Sequence, residues 1–479
     1  MLQTLKNAWR TKEIRGKILF TLFILLLYRI GTVVPVPFVD ASNFAGQFNG
    51  TILQYMDVLS GGSLGATTLF ALGVSPYINS SIIIQLLSVV FPKLGELAKN
   101  DKKKMGYITR IVTVALAIIT GVGYYLLLAQ SGGALAPEAT KGKGDMYVLY
   151  AVAIIACYVA GACLIMWLAD RINERGIGNG ISMILFANIV ATLPSQTYKM
   201  FTSVVLPTFE YANNVKVWYI IVSILFALGL VALVLAMTVF VIFVTGSERR
   251  IPVQYSKRVV GRKMYGGQNT HLPIKLNMTG VMPVIFASSI VSLVPTILAF
   301  FGIDGDGSTG HKFWEGVAKV LGSNGVIYPI ALLVLIIGFA YFYTQITFDP
   351  IEVANNLKKQ GGTIRGIREG RPTAEYIRKI LNKITLAGAL FLSIIAVFPA
   401  VAGPHLVSPL IEWILKGMWY GDAATLSSYA STIASQASSL ASVFTFGGTS
   451  LIIVVGVALE TFRDLEAQLT MRSYKGFLN

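Results

Sequence analysis

Residues 73–81 read GVSPYINSS, and residues 280–288 read GVMPVIFAS. Each motif lies in a long apolar stretch, and at an offset of 207 residues five of the nine positions carry the same residue. Glycine and proline interrupt helices, so both stretches are predicted to be broken helices. Broken helices at matching positions of two halves are typical of inverted-repeat membrane proteins, where they mark the central pathway. Chance similarity between two apolar segments is the alternative.

The composition places the chain in a membrane. Of its 479 residues, 54% are hydrophobic and only 13% are charged, whereas an average soluble domain is about 25% charged. So few charges cannot cover a surface in water, which nearly excludes a soluble enzyme and a disordered scaffold. Two cysteines, Cys157 and Cys163, lie in one apolar stretch. They indicate neither a disulfide framework nor a metal site.

Ten apolar stretches predict an all-α polytopic membrane protein with ten transmembrane helices. Crossing a bilayer core takes about 20 residues of helix, and most stretches reach that length. The ten stretches are 18–38, 64–91, 111–130, 147–168, 179–194, 217–245, 276–301, 326–345, 384–401 and 439–458. The first follows five Lys or Arg residues, as in a signal peptide. Because nine more follow it, we interpret it as an uncleaved first helix.

The positive charge is distributed unevenly between alternate loops. One set of loops totals 135 residues and holds 31 Lys and Arg, whereas the alternate set totals 124 residues and holds 7. The positive-inside rule therefore predicts that the first set, which includes both termini, is cytosolic. The first set comprises 1–17, 92–110, 169–178, 246–275, 346–383 and 459–479. Five helices per half predict an N-terminal half over 1–216 and an inverted C-terminal half over 217–479.

Polar features inside the apolar stretches are few. Arg29 is the only charged residue in them, and we interpret it as reaching an interface or capping backbone carbonyls. Residues 52–73, with glycines at 61, 62 and 65, predict a short, half-apolar piece before the true second span. Free backbone groups are costly in lipid, so this piece is expected in a cavity lined by protein. A re-entrant loop without a moving role is the alternative.

Two long cytosolic loops, 246–275 and 346–383, carry 15 of the 31 inward charges. Residues 251–256 alternate as a strand does, and Gly266-Gly267 predicts a turn. We expect basic fingers that bind an acidic partner, such as RNA, a motor protein or anionic lipid. Ordinary positive-inside charge is the alternative.

Six blocks resemble the SecY family, the central subunits of bacterial protein-conducting channels, and the resemblance covers nearly the whole chain. The blocks are FALGVSPYINSSIIIQLL (70–87), DRINERGIGNGIS (170–182), RRIPVQYSKR (249–258), THLPIKLNMTGVMPVIFASS (270–289), ANNLKKQGG (354–362) and FGGTSLIIVV (446–455). Loop 402–438, with its run SSYASTIASQASSLAS, is longer than we expect for the family and has no functional account. Its composition predicts a flexible or weakly helical excursion.

The resemblance implies two five-helix halves that close like a clamshell around an hourglass pore. It implies a pore ring of Val74, Ile78, Leu185, Ile285 and Ile453. The family prefers isoleucine, so Val74 and Leu185 depart from it in detail. A plug over about 55–72 would include Leu59, Gly61, Gly62, Leu64 and Gly65. A lateral gate between helices two and three and helices seven and eight would carry Asn79, Gln85 and Ser289. The implied docking residues are Arg249, Arg250, Lys257, Arg258 and Arg368.

The function that the resemblance implies is passage of unfolded secretory polypeptides across the plasma membrane and sideways release of transmembrane segments into lipid. The implied partners are SecE, SecG, the SecA motor ATPase, the ribosome, signal sequences, precursor polypeptides and membrane lipid. The resemblance implies no nucleic-acid contact other than one with ribosomal RNA, and it implies no cofactor or metal. A secondary transporter of small solutes is the alternative, but it would require midplane ionisable residues that these stretches lack. The motifs of an intramembrane enzyme and the P-loop are also missing, so a partner is expected to supply the energy.

Overall fold

The computed structural model describes residues 2–40, 52–130, 134–136, 147–204, 217–255, 258–260, 263–265, 269–300, 327–418 and 447–471. Their helices are α1 (Leu2–Arg10), α2 (Lys12–Gly31), α3 (Ile52–Ser60), α4 (Ser75–Val90), α5 (Pro92–Asn100), α6 (Lys102–Gln130), α7 (Tyr147–Arg175), α8 (Gly180–Val204), α9 (Val217–Gly246), α10 (Met282–Phe300), α11 (Ile327–Thr347), α12 (Pro350–Lys359), α13 (Arg371–Ala402), α14 (Ser408–Met418) and α15 (447–471). A π-helical turn, Gly403–Val407, joins α13 to α14.

Each of the ten apolar stretches contains a helix, and the chain is an all-α polytopic membrane protein. Within the described residues, five helices are long and apolar enough to cross a membrane, and α4 with α5 makes a sixth that is bent by 117°. Helix α2, which lies in the first apolar stretch, ends at Gly31, whereas the predicted stretch continues to residue 38. Beyond α2 the chain turns at residues 32–33, and Pro35 then pairs with Thr68 in an isolated bridge.

The two glycine–proline motifs have the same local backbone. Gly73 has φ of 57° and Gly280 has φ of 65°, a left-handed conformation that glycine adopts without strain. Helix α4 begins two residues after Gly73, and α10 begins two residues after Gly280. The first helical bonds also match: Ile78 N donates to Val74 O at 3.0 Å, and Ile285 N donates to Val281 O at 3.1 Å. The motif thus repeats in structure as well as in sequence.

The two basic fingers meet in one small sheet. Strand β1 (Glu248–Tyr255) pairs antiparallel with β4 (Asn269–Lys275) and, on its other edge, with β5 (Gly362–Ile364). Two short strands, β2 (Arg258–Val260) and β3 (Lys263–Tyr265), form a separate pair. The strand predicted over 251–256 is confirmed through Tyr255. The predicted turn at Gly266-Gly267 lies outside the described residues, as does the run SSYASTIASQASSLAS.

The buried apolar side chains form one large cluster and several smaller ones. The large cluster takes residues from α2, α4, α7, α8, α9, α10, α11, α13 and α15. A second cluster packs the segment after α3 against α6 and α7, and a third fastens the finger sheet to α12 and α13. The largest core therefore lies where the two broken helices meet the others.

Gly161 lets the segment between α3 and α4 approach α7 closely. A Cβ atom there would overlap the backbone oxygen of Leu69, which cannot rotate away as a side chain could. Gly161→Ala is therefore expected to lower stability by about 1–3 kcal/mol, as overpacking does. Gly229→Ala in α9 is the control, because nothing lies within 4 Å of its added Cβ. Thermal unfolding in detergent should show a lower Tm for Gly161→Ala alone; equal Tm values would contradict this packing.

Candidate functional site

The five predicted ring residues lie together in the largest buried cluster. Val74 precedes the first residue of α4, and Ile78 lies in the first turn of that helix. Leu185, Ile285 and Ile453 come from α8, α10 and α15. All five are at most 4% exposed and share one hydrophobic cluster. Segments distant in sequence thus contribute these five aliphatic side chains to the same buried cluster.

The five predicted ring residues share one chemistry, because all of them are aliphatic. They carry no group that coordinates an ion, and a narrow constriction of such groups expels water. Because Val74 and Ile285 each lie beside the start of a broken helix, their backbone position depends on the glycine–proline turns. The arrangement can exclude ions and water while its soft side chains remain able to part.

The segment from 52 to 74 is held by its own polar groups. The Asp57 carboxylate accepts a hydrogen bond from Gly65 N at 2.7 Å, and Ser60 Oγ accepts one from Leu64 N at 3.1 Å. From α6, the Tyr124 hydroxyl donates to Leu64 O at 2.5 Å. Leu64 is buried, and Leu59 packs against the large cluster. The short piece predicted before the second span contains helix α3, and the predicted break before α4 is present.

Asn188 of α8 connects this segment to two other helices. Its Nδ2 donates to Leu59 O at 2.7 Å and to the Tyr28 hydroxyl at 2.9 Å. Asn188 and Tyr28 are both fully buried. Sequence reasoning missed Asn188, although it is a lone amide amid the apolar residues of 181–191, and that isolation is the signal that could have revealed it.

Arg29 contacts the same region. Its Nη2 donates to Ala187 O at 2.6 Å and lies 3.4 Å from Asn188 O. The interpretation that Arg29 caps backbone carbonyls is therefore confirmed. A Cβ atom on Gly61 would lie 2.9 Å from Arg29 Nη1 and 2.8 Å from Asn188 Oδ1. The glycine allows the segment to approach both polar side chains.

The predicted gate residues lie on helices that touch. Helix α4, which carries Asn79 and Gln85, packs against both α6 and α10, and α10 carries Ser289. Gln85 lies near the Tyr343 hydroxyl of α11, and its Nε2 donates to Ser81 Oγ in its own helix at 3.2 Å. Asn79 Oδ1 is buried and makes no hydrogen bond within the described part of the chain. A mixed polar and apolar seam therefore runs between α4 and the α10–α11 pair.

The fingers present most of the predicted docking charges to solvent. Arg249, Arg250 and Arg368 are exposed, and Arg250 Nε pairs with Glu248 at 2.8 Å. The backbone of Arg258 lies in β2, whereas Lys257 lies outside the described residues. The fingers thus carry an exposed basic surface on a sheet that is anchored to α13.

A charged group lies where the finger sheet meets the last helix. Glu460 lies in α15 beyond its apolar stretch, and burial raises the pKa of its carboxyl group. The negative charge of Asp464 raises this pKa further, whereas the positive charges of Arg463 and Lys275 lower it. Burial also lowers the pKa of Lys275 in β4. Arg463 Nη2 donates to Thr245 O at 2.9 Å, and Asp464 accepts from Gly178 N at 3.2 Å. This network ties the last helix to both α9 and the turn before α8.

Comparison with known proteins decides the family. The family model for SecY matches residues 68–462. The translocase subunit SecY of Streptomyces galbus is 39% identical over 100% of both chains, and that of Streptomyces coelicolor is 40% identical over 100% of both. The chain belongs to the SecY family. The SecY subunit of Mycobacterium tuberculosis is 37% identical, also over 100% of both chains.

Solved structures agree with the SecY fold. A structure described as a protein-conducting channel matches with a TM-score of 0.57 and 17% identity, covering 95% of this chain and 92% of that one. Sec61 in a canine ribosome–channel complex from the endoplasmic reticulum matches with a TM-score of 0.53 and 16% identity over the same shares. Membership of the SecY family makes the chain a protein-conducting channel in a membrane, and the solute-transporter alternative is not favoured.

Proposed function

We propose that the chain passes unfolded secretory polypeptides across the plasma membrane through the ring formed by Val74, Ile78, Leu185, Ile285 and Ile453. The observation that supports this proposal is that these five aliphatic residues, from the start of α4 and from α8, α10 and α15, are all buried in one hydrophobic cluster. Aliphatic side chains accept any polypeptide sequence, since they select by neither charge nor hydrogen bonding. They also close again on each other when the polypeptide has left.

The segment over about 55–72 acts as the plug of this channel. Its helix α3 ends beside Asn188, and its Leu59 packs against the ring cluster. One solved relative is described by the finding that the plug domain of the SecY protein stabilises the closed state of the channel and maintains a membrane seal. The hydrogen bonds from Asn188 and Tyr124 give this chain a physical means of holding such a plug in place.

The seam between α4 and the α10–α11 pair acts as the lateral gate. A signal sequence has an apolar core that prefers lipid, so an opening at this seam lets it leave sideways while polar segments stay in the pore. Gln85 and Tyr343 lie near each other across the seam, and Ser289 lies on α10 on its far side. A seam with few polar links is expected to open at a modest cost in free energy.

Asn79→Leu is expected to hold the gate closed. The buried Oδ1 atom has no hydrogen-bond partner within the described residues, and an unpaired buried acceptor costs about 1–3 kcal/mol. Leucine removes that cost from the closed state, so export of a precursor with a weakened signal should fall several-fold. Ser289→Leu should shift the same balance. Ile83→Leu, an exposed site on the same helix, is the control. Export at the control's level by Asn79→Leu would contradict this role.

The chain works with partners that supply energy and complete the channel. The exposed Arg249, Arg250 and Arg368 form a surface for the SecA motor or the ribosome, consistent with the canine ribosome–channel relative. SecE and SecG complete the complex, and signal sequences enter at the gate. The excess of Lys and Arg in one set of loops supports a cytosolic position for both termini. We expect no catalytic chemistry in the chain itself.

Reconstitution separates this function from solute transport. Proteoliposomes that contain the chain with SecE and SecG receive SecA, ATP and a radiolabelled secretory precursor. Protection of the precursor from added protease, dependent on its signal sequence, supports the channel. A precursor without a signal sequence is the control. No protection, together with uptake of small solutes by the same vesicles, would favour the transporter.

A further inference from the structure

We propose that a groove beside the finger sheet binds the headgroup of an anionic phospholipid. The groove has a volume of about 580 Å³ and lies where α9 ends and the first turns of α13 pass beneath β1. Its walls combine cationic side chains with apolar ones. The lining residues include Glu248, Arg249, Lys379, Lys383 and Ala387.

The charge of the groove favours an anion. Arg249, Lys379 and Lys383 are exposed, and within the described part of the chain none of them forms a salt bridge with a carboxylate. Glu248 also lines the groove, but its carboxylate pairs with Arg250 at 2.8 Å. Three cations against one paired carboxylate leave a positive cavity. Basic pockets between transmembrane helices at the cytosolic face bind anionic lipid headgroups.

The apolar surface next to the groove distinguishes a lipid from a soluble phosphate. Lys379, Lys383, Leu386 and Leu390 follow one another at helical spacings of three and four residues, so they form one stripe along α13. Leu386 and Leu390 are exposed, and Phe243 on α9 is 73% exposed. The stripe therefore changes from cationic to lipid-facing within two turns. A phosphate bound between the lysines would have its acyl chains along the leucines.

The predicted occupant is a lipid such as phosphatidylglycerol. This lipid proposal does not depend on whether the channel proposal is correct. The test uses native mass spectrometry of the purified chain in mixed micelles that contain phosphatidylglycerol and phosphatidylcholine. In Lys379→Gln/Lys383→Gln, retention of phosphatidylglycerol should fall by roughly tenfold or more, since each cation near an anionic surface contributes appreciably. Phosphatidylcholine retention should not change. Lys358→Gln/Lys359→Gln in α12 removes the same charge outside the groove and is the matched control.

Two further experiments identify the source of the phosphate and the kind of molecule that occupies the groove. Glycerol 3-phosphate at millimolar concentration should not displace phosphatidylglycerol; displacement would mean that a free phosphate suffices. A photo-crosslinking residue at Ala387 should label lipid in native membranes. A crosslink to a protein there, or equal lipid retention by both double variants, would overturn the proposal.

Discussion

Exchange of Ile285 and Ile453 for asparagine is expected to make the resting channel leak ions. Both side chains lie in the buried ring cluster, at 4% and 1% exposure. An aliphatic constriction excludes ions because water leaves it, whereas amide groups offer water hydrogen bonds at the same place. The resting conductance of planar bilayers that contain the double variant should rise at least tenfold over wild type.

The conservative exchange provides the control for this prediction. Ile285→Val with Ile453→Val keeps the ring aliphatic and removes only one methylene at each site, a change that typically costs about 0.5–1.5 kcal/mol of stability per site. Its conductance should stay near that of wild type. Because buried asparagines can also impair folding, the Tm of each variant in detergent is measured alongside. A folded asparagine variant with wild-type conductance would show that these residues do not seal the pore.

Asn188→Leu is expected to release the plug. The exchange removes the hydrogen bonds to Leu59 O at 2.7 Å and to Tyr28 Oη at 2.9 Å. Each buried group left unpaired costs about 1–3 kcal/mol, so the population with a displaced plug should rise by roughly tenfold or more. Asn188 Oδ1 makes no hydrogen bond among the described residues, so its removal does not add to that cost.

Hydrogen exchange reports the release of the plug directly. In Asn188→Leu, the amides of α3 and of Gly65 should exchange faster, whereas those of α13 should not change. Thr192→Val on the same helix is the matched control, because the Thr192 hydroxyl bonds only Ile189 O in its own helix at 2.9 Å. Equal exchange of α3 in both variants would rule out Asn188 as the anchor of the plug.

Much of this fold follows from local signals in the sequence. Long apolar stretches determine the helices because a bilayer leaves few other structures for them. The glycine–proline motifs determine where α4 and α10 begin, since glycine at positive φ and proline near a helix start act through their own backbone. The strand over 251–255 was predictable from its alternation for the same local reason.

Other features depend on contacts between distant residues, and the sequence alone did not predict them. Asn188 anchors Leu59 across 129 positions, a pairing that no local pattern signals. The addition of β5 to the edge of β1 joins the two fingers, but three residues are too few for a periodic pattern. The ring residues were identified through family resemblance, because each of them alone is indistinguishable from ordinary core.

The central claim is that a polypeptide passes the aliphatic ring, and a photo-crosslink at Ile285 tests it most directly. A secretory precursor is stalled halfway through export in membranes that contain the chain with this probe. We predict a crosslink to the mature part of the precursor that requires a functional signal sequence. A precursor that crosslinks efficiently to the same probe at Arg368 but never at Ile285 would contradict the claim, because it would dock at the fingers without passing this ring.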